Sequence, residues 1–388
     1  MQNLSNKYHS LKIIFILNLD TLAFRRHLHA HPELSFRERE TAAYISAQLT
    51  AAGIAHRPIA GTGILARIEG RRPCTDRRAV VLRADIDALP LTERTGLPYA
   101  SQNPGVMHAC GHDLHAAVLY GVLTAIAADP DFGGTLFGLF QPGEECNPGG
   151  ASRVLAEEPF AGYDVRAVIG EHVEPQLEVG TLGFRAGKYM AANDELRFRL
   201  RGTGGHGALR DQLKDPVAAA AELVTALLAL NEPQCVLSIG RIEAAGATNV
   251  VPDEVSLEGT LRTFDEEQRT RIHRRIAEIS ATADARHGVR TDVDIDRGYP
   301  PVVNDARLTE TAAALALAER LRVERLPLRT TAEDFGFYGE HYPSLFYRLG
   351  VGAAAGRTHT ATFAPDERAI ETGVAFMRRL ALQILHER

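Results

Sequence analysis

The spacing of apolar residues changes character twice along this chain, and that change restricts its possible folds more than any single motif does. In the first half, short apolar runs alternate with helical segments: Ile64–Ile68, Ala79–Arg83 (AVVLR), Thr135–Phe140 (TLFGLF) and Val165–Ile169. Such runs read as buried strands, and strands alternating with helices predict an α/β layer around a mostly parallel sheet. From Glu195 to Arg201 (ELRFRLR) polar and apolar residues alternate instead, as in a strand with one face in water. A helix from Asp215 to Leu230, strands at Val236–Arg241 and Val255–Thr263, a helix from Glu266 to Arg286 and a strand at Thr291–Asp296 follow. This β-α-β-β-α-β order predicts a ferredoxin-like α+β domain, its antiparallel sheet covered by helices on one face. Beyond residue 300 helix and strand alternate again. The expected organisation is a discontinuous α/β domain, 1–185 and 299–388, with an inserted α+β domain at 186–298.

A length of 388 residues agrees with two domains, and 45% apolar with 24% charged residues is ordinary for a globular enzyme. The net charge of −6, without a basic run, argues against nucleic acid as a partner. Cys74, Cys110, Cys146 and Cys235 are widely separated and form no CxxC pair, which predicts a reducing, cytoplasmic setting without a disulfide framework. The apolar stretch Leu11–Leu19 is too short to span a bilayer and lacks a following cleavage site; it reads as a first helix or an extension, and no membrane partner is expected. A helix over 20–52 is interrupted by Pro32, so its first part should end near His31 and its second begin around Ser35. Ser35 and Glu38 have the spacing of a capping box.

Chemistry-bearing residues collect where buried strands should end. His108, Cys110, His112 and His115 fall within HACGHDLH, and Gly111 permits the turn that would aim a thiolate and an imidazole at one cation. QPGEEC follows the strand TLFGLF, so Glu144 and Glu145 sit at a loop where one carboxylate can bind a metal and its neighbour take a proton. Glu171-His172 follows the strand VRAVIG, and His359 follows a glycine-rich stretch. Asp85 and Asp87 (RADIDALP) can bind metal, orient a ligand imidazole or cap the following turn. GTGGHG at 202–207 lacks the Lys-Ser/Thr of a phosphate loop.

Together these motifs resemble the M20 metallopeptidase family, in its amidohydrolase branch of N-acyl-amino-acid amidohydrolases, hippurate hydrolases and auxin-conjugate hydrolases. The resemblance runs in order through RRHLHAHPELSFRERETA, RADIDALP, MHACGHDLHAA, FQPGEE, EHVEP, GGHGA, ATNVVPDEVSLEGTLRTF, AEDFGFY and HTATF. It implies two divalent cations, manganese or zinc with cobalt or nickel as alternatives, held by Cys110, His112, Glu145, His172 and His359. It also implies Glu144 as general base and Asp87 as the aspartate behind the ligands. In the inserted domain, which the family uses as a lid and often as a dimer surface, His206, Asn249 and Arg262 match substrate-contacting positions. Glu171, Leu209-Arg210-Asp211 and the run after His359 depart from the branch pattern, none of them at a proposed ligand.

The implied reaction is hydrolysis of the amide bond of an N-acyl-L-amino acid. A dipeptidase or carboxypeptidase would use the same chemistry. From other classes, Cys110 as a nucleophile leaves Glu145, His172 and His359 without work, and a non-catalytic metal-binding protein has no need of Glu144.

Overall fold

The computed structural model describes residues 20–386, so the apolar stretch Leu11–Leu19 lies outside the described residues. The chain divides into two compact units: one comprises the chain through Gly187 with Val303–Pro327 and Phe337 onward, the other Lys188–Val302 with Leu328–Gly336.

Helix α1 (residues 20–30) ends just before Pro32, and α2 (Arg39–Ala51) begins at Arg39 rather than near Ser35. The expected capping box does not form. Glu38 is the N-cap residue but makes no side-chain cap bond, and Ser35 donates its hydroxyl hydrogen to Asp87 at 2.7 Å. Glu38 instead accepts from the Thr62 hydroxyl at 2.5 Å and from the Gly143 N–H at 2.9 Å. The local pattern is thus overridden by two distant segments that need these acceptors.

There follow β1 (Ala55–Ile59), β2 (Gly63–Glu69), β3 (Arg78–Asp85), α3 (His112–Ala128), β4 (Thr135–Gln141), α4 (Gly150–Ala156), β5 (Asp164–Glu174) and β6 (Leu182–Phe184). The second unit contributes β7 (Asp194–Arg201), α5 (Pro216–Leu228), β8 (Cys235–Ala244), β9 (Glu254–Thr263), α6 (Glu266–His287) and β10 (Arg290–Arg297). The chain returns through α7 (Ala306–Ala318), β11 (Val323–Arg325), β12 (Ser344–Gly350) and α8 (Ala369–His386).

In the first unit the strands lie in the order β1-β2-β4-β3-β5-β12-β6-β11. The centre, β4-β3-β5-β12, is parallel. The β1–β2 hairpin extends one side antiparallel, and β6 runs antiparallel to β12 on the other. Every residue of β4 and β12 is buried, β4 as an apolar run and β12 with Arg348 and Ser344 buried among its apolar residues. The alanine-rich α3 packs on this sheet with α8, and Val80, Leu82, Leu119, Leu123, Ile169 and Leu380 belong to one core. Such a sheet gathers the ends of β3, β4 and β5 on one side, which is where open α/β sheets carry their sites.

In the second unit the order is β8-β9-β7-β10, antiparallel throughout, as a ferredoxin-like chain order gives. β7 alternates buried and solvated residues, and Leu196, Phe198 and Leu200 meet Leu223, Leu227, Ile272 and Ile276 of α5 and α6. Asp215 and Asp265 cap those helices, accepting from Val217 N–H at 2.8 Å and Gln268 N–H at 2.6 Å. The unit differs from the expected 186–298. It also takes Leu328–Gly336 because Ala191 N–H donates to Arg329 C=O at 3.0 Å and Arg329 N–H to Tyr189 C=O at 2.9 Å. Among the described residues no helix is long and apolar enough to cross a membrane.

Candidate metal centre

Cys110 lies in the turn that leads into α3, and Gly111 makes that turn possible. Its φ of +96° suits glycine, and a Cβ there would come within 2.7 Å of Val173 Cγ2. The turn delivers His112 as the first residue of α3. β3 ends at Asp85 and sets Asp87 just beyond, and the loop after β4 carries Glu144 and Glu145. β5 runs to Glu174, so His172 stands inside the strand rather than in a loop beyond it, as its sequence had suggested. His359 has φ +60°, a left-handed conformation that costs a non-glycine residue roughly 1–2 kcal/mol. Its N–H donates to Ala109 C=O at 2.8 Å, which ties this segment to the Cys110 turn.

These elements bring together the five proposed ligands. Cys110 Sγ is 3.3 Å from His172 Nε2 and 3.3 Å from His359 Nε2. His359 Nε2 is 3.1 Å from Glu145 Oε1. The potential ligand atoms of Cys110, His112 and His172 lie within 4.8 Å of one another, and so do those of Cys110, Glu145 and His359. The two triads share the sulfur, so a thiolate could bridge two cations.

The fit to metal rests on tautomers and on one unmatched nitrogen. His112 Nδ1–H faces the Asp87 carbonyl at 2.9 Å and its carboxylate at 3.1 Å, which leaves the Nε2 lone pair for the cluster. That Nε2 is buried without a hydrogen-bond partner, 3.8 Å from Asp85 Oδ1, 4.0 Å from Glu144 Oε2 and 3.9 Å from Glu145 Oε1. An imidazole nitrogen that bonds none of these carboxylates, and lies with the Cys110 sulfur and a His172 ring nitrogen inside one 4.8 Å cluster, is placed to face a cation. His172 Nδ1–H donates to Val173 C=O at 2.8 Å, so its Nε2 lone pair also faces inward. The donor set fits dinuclear metal binding.

Electrostatics agree. Burial opposes a charge on His112, yet Asp85 and Cys110 hold its pKa well above the usual value. Hydrogen bonds to Cys110 and Glu145 push His359 up to about 10. Burial, with Arg348 beside it, keeps His172 neutral. Burial and the nearby Glu145 push the Cys110 thiol up, so its deprotonation needs a compensating positive charge. The cluster draws in positive charge.

Asp85, His112 and His115 also offer ligand atoms within 4.8 Å of one another, but Asp85 is tied to other partners. Both of its oxygens are engaged, by Arg83 Nη1 at 2.5 Å and by His115 Nδ1 at 2.7 Å. Asp87 accepts from the Ser35 hydroxyl and, at 2.9 Å, from Glu145 N–H as well as His112. The supporting roles of Ser35, Glu38 and His115 were not read from the sequence; their one signal was membership of the HPELSFRE and HACGHDLH motifs. Glu171, the departure beside His172, is buried and accepts from Tyr347 OH at 2.8 Å, and burial raises it to about 8. In the second unit His206 pairs with Val250 in a short ribbon, and Asn249 C=O accepts from Gly207 N–H at 2.9 Å. The structure therefore brings His206 and Asn249 together as exposed neighbours, while Arg262 stands half-buried on β9.

The comparisons with known proteins converge on the same chemistry. The sequence profile of peptidase family M20/M25/M40 matches residues 81–383. An N-acetyl-L-cysteine deacetylase of Bacillus subtilis is 39% identical over 95% of this chain and 90% of its own. An N-acyl-L-amino acid amidohydrolase of Geobacillus stearothermophilus is 41% identical over 76% of this chain and 80% of its own. The crystal structure of a dinuclear metal binding peptidase of the M20 family from Bacillus subtilis superposes with a TM-score of 0.85 at 33% identity, covering 95% of this chain and 99% of that one. With a donor set that fits two cations and relatives that span nearly its whole length, the chain belongs to peptidase family M20/M25/M40 and is a metal-dependent amidohydrolase.

Proposed function

We propose that this enzyme hydrolyses the amide bond of N-acyl-L-amino acids, releasing a carboxylic acid and an amino acid. Cys110, His112 and His172 would hold one divalent cation, and Cys110, Glu145 and His359 the other. The observation that carries this reading is the pair of ligand triads meeting at Cys110 Sγ. Relatives named as an N-acetyl-L-cysteine deacetylase and an N-acyl-L-amino acid amidohydrolase support the substrate class. Thiolate and imidazole ligands suit zinc, and the carboxylates also admit manganese, cobalt or nickel; manganese or zinc is our assignment.

When bound, such cations supply Lewis acidity toward the scissile carbonyl and lower the pKa of water. Glu144 is buried at the edge of the cluster, with its Oε2 4.0 Å from His112 Nε2. It takes a proton from the attacking water and returns it to the departing amine, base first and acid afterwards. Asp87 holds His112 in the tautomer that presents Nε2, and its bond from Glu145 N–H steadies the loop that carries the base. On the second unit, proposed as a lid and a dimer surface, His206, Asn249 and Arg262 are the proposed substrate contacts. The setting we propose is the cytoplasm.

The test combines ion content with turnover. Dialysis against a chelator should abolish hydrolysis of acetyl- and benzoyl-amino acids, and manganese or zinc should restore it. Glu144→Gln should lower turnover by roughly 10²–10⁴ while the bound ions remain. Full activity of metal-free protein, or a covalent acyl-enzyme trapped on Cys110, would overturn the proposal.

A further inference from the structure

His115 is a buried histidine that the proposed mechanism leaves without a part, and both of its ring nitrogens are committed. Nδ1 lies 2.7 Å from Asp85 Oδ1, and because a carboxylate only accepts, Nδ1 carries the hydrogen. Nε2 is then a lone pair, and it accepts the backbone N–H of Val173 at 2.9 Å. Val173 is the residue after the ligand His172, and the same residue's C=O accepts His172 Nδ1–H at 2.8 Å. The His115 and His172 rings lie 4.8 Å apart, so the chain of contacts is compact and closed to water.

Asp85 is itself immobilised. Arg83 Nη1 holds its other oxygen at 2.5 Å, and Arg83 Nε donates to Gln141 Oε1 at 3.0 Å. Gln141 Oε1 also accepts from Tyr338 OH at 2.8 Å. A series of hydrogen bonds therefore runs from Arg83 through Asp85 and His115 to the Val173 N–H, and the C=O of that same residue accepts His172 Nδ1–H. β5 needs such a brace at this point. Its partner β3 pairs with it only as far as Arg83–Gly170, which is short of His172 and Val173. On that side of the strand the Val173 N–H has His115 as its acceptor.

From this geometry, and resting on the assignment of His172 as a ligand, we infer that His115 is a positioning residue for metal binding: by anchoring the backbone at Val173, whose N–H it accepts and whose C=O orients the His172 ring, it fixes the orientation and tautomer of His172. Asp85 acts one step further back by fixing the tautomer of His115. In this assignment both stand behind the ligands rather than among them.

The two links can be separated by substitution. In His115→Gln the carboxamide oxygen can occupy the place of Nε2 and keep the bond from Val173 N–H, while the donor to Asp85 is lost. In His115→Asn the amide nitrogen can occupy the place of Nδ1 and keep Asp85, while the acceptor for Val173 is lost. Manganese and zinc affinities of the purified full chain, read by chelator competition without substrate, should fall by about 10–100-fold in His115→Asn. His115→Gln should stay within about threefold of the parent, set against the tenfold lower bound of that range. A merely structural role would weaken both variants alike. Equal affinities in the two variants, or a larger loss in His115→Gln, would overturn the inference. The parent chain serves as the reference for the underlying assignment: if it binds no ions, the ligand assignment itself fails, whereas two tightly bound ions with indifferent variants reject His115 alone.

Discussion

Asp87 is hydrogen-bonded to three separate segments, the Ser35 hydroxyl, the His112 ring and the Glu145 peptide, and it is buried throughout. Burial disfavours its charge, but His112, the Glu145 N–H and the Ser35 hydroxyl together outweigh that cost and hold its carboxyl below the usual range. A second buried network lies behind the same turn. His29 Nδ1 is 2.9 Å from Asp113 Oδ2, its Nε2 is 3.2 Å from Glu93 Oε1, and Arg25 Nε is 2.9 Å from Asp113. Burial opposes a charge on His29, yet Asp113 prevails and raises its pKa from 6.5 to about 9. A folded-state pKa above the unfolded one means that the charged form is favoured by folding. The contribution is therefore complete below pH 6.5 and is lost as the pH rises through about 9. Urea unfolding across that window should show stability declining in the parent and a flatter profile in His29→Gln. An identical slope in both would remove His29 as the source. At this scale the sequence was legible for the ligands, because thiol, imidazole and carboxylate side chains clustered at strand ends have few other uses. It was illegible for Ser35, Glu38 and His29, whose partners stand 52, 105 and 84 residues away.

The elements were legible where apolar spacing dictates them. The wholly buried β4, the alternating β7 and the helices α5 and α6 all follow from side-chain periodicity, whereas β12, with Arg348 inside it, was not placed. β1 was not read, because it is exposed along most of its length and contains Pro58; pairing with β2 alone makes it a strand. The end of β5 was misjudged because Glu171 and His172 look like a loop, whereas β12 pairs with them through Glu174. The junction into α3 is the most constrained of these elements. Gly111→Ala adds a Cβ at φ +96° and presses it to 2.7 Å from Val173 Cγ2. The backbone conformation alone costs roughly 1–2 kcal/mol for an L side chain. Gly53, at φ +69° with nothing within 4 Å, isolates that part. Gly53→Ala should lose about 1–2 kcal/mol in denaturant unfolding, and Gly111→Ala measurably more, with weaker ion binding as well. Equal losses, with ion affinity unchanged in both, would mean that the Val173 contact relaxes without disturbing the Cys110 turn.

Among the described residues, the large hydrophobic core of the first unit and that of the second share no residue. The core that includes Val80, Leu119 and Leu380 is built entirely from the first unit. The core around Leu196, Phe198, Leu223, Leu257 and Ile276 is built entirely from Lys188–Val302. This separation is what the change in apolar spacing reported: an inserted sequence can alter its pattern so sharply only if its strands pair among themselves. Within Lys188–Val302 the buried pair Asp194 and Arg269 is also matched internally. Arg269 Nε lies 3.0 Å from Asp194 Oδ2, His273 Nε2 lies 2.6 Å from the same oxygen, and Arg269 Nη2 donates to Gly298 C=O at 3.1 Å. A segment with its own core and paired buried charges can fold alone, and its length is within the ordinary range for a domain. The excised segment Lys188–Val302 should therefore unfold cooperatively on heating, monitored by circular dichroism, with a midpoint indifferent to chelator. None of the proposed ligands lies in it. In the full chain a chelator should lower the transition of the first unit, because ions that bind only the folded state stabilise it by mass action. The segment lacks Leu328–Gly336, whose Arg329 C=O accepts from Ala191 N–H, so some fraying near Ala191 is expected. A segment without a cooperative transition, even when Leu328–Gly336 is appended through a flexible linker, would show that the second core does not sustain its own fold.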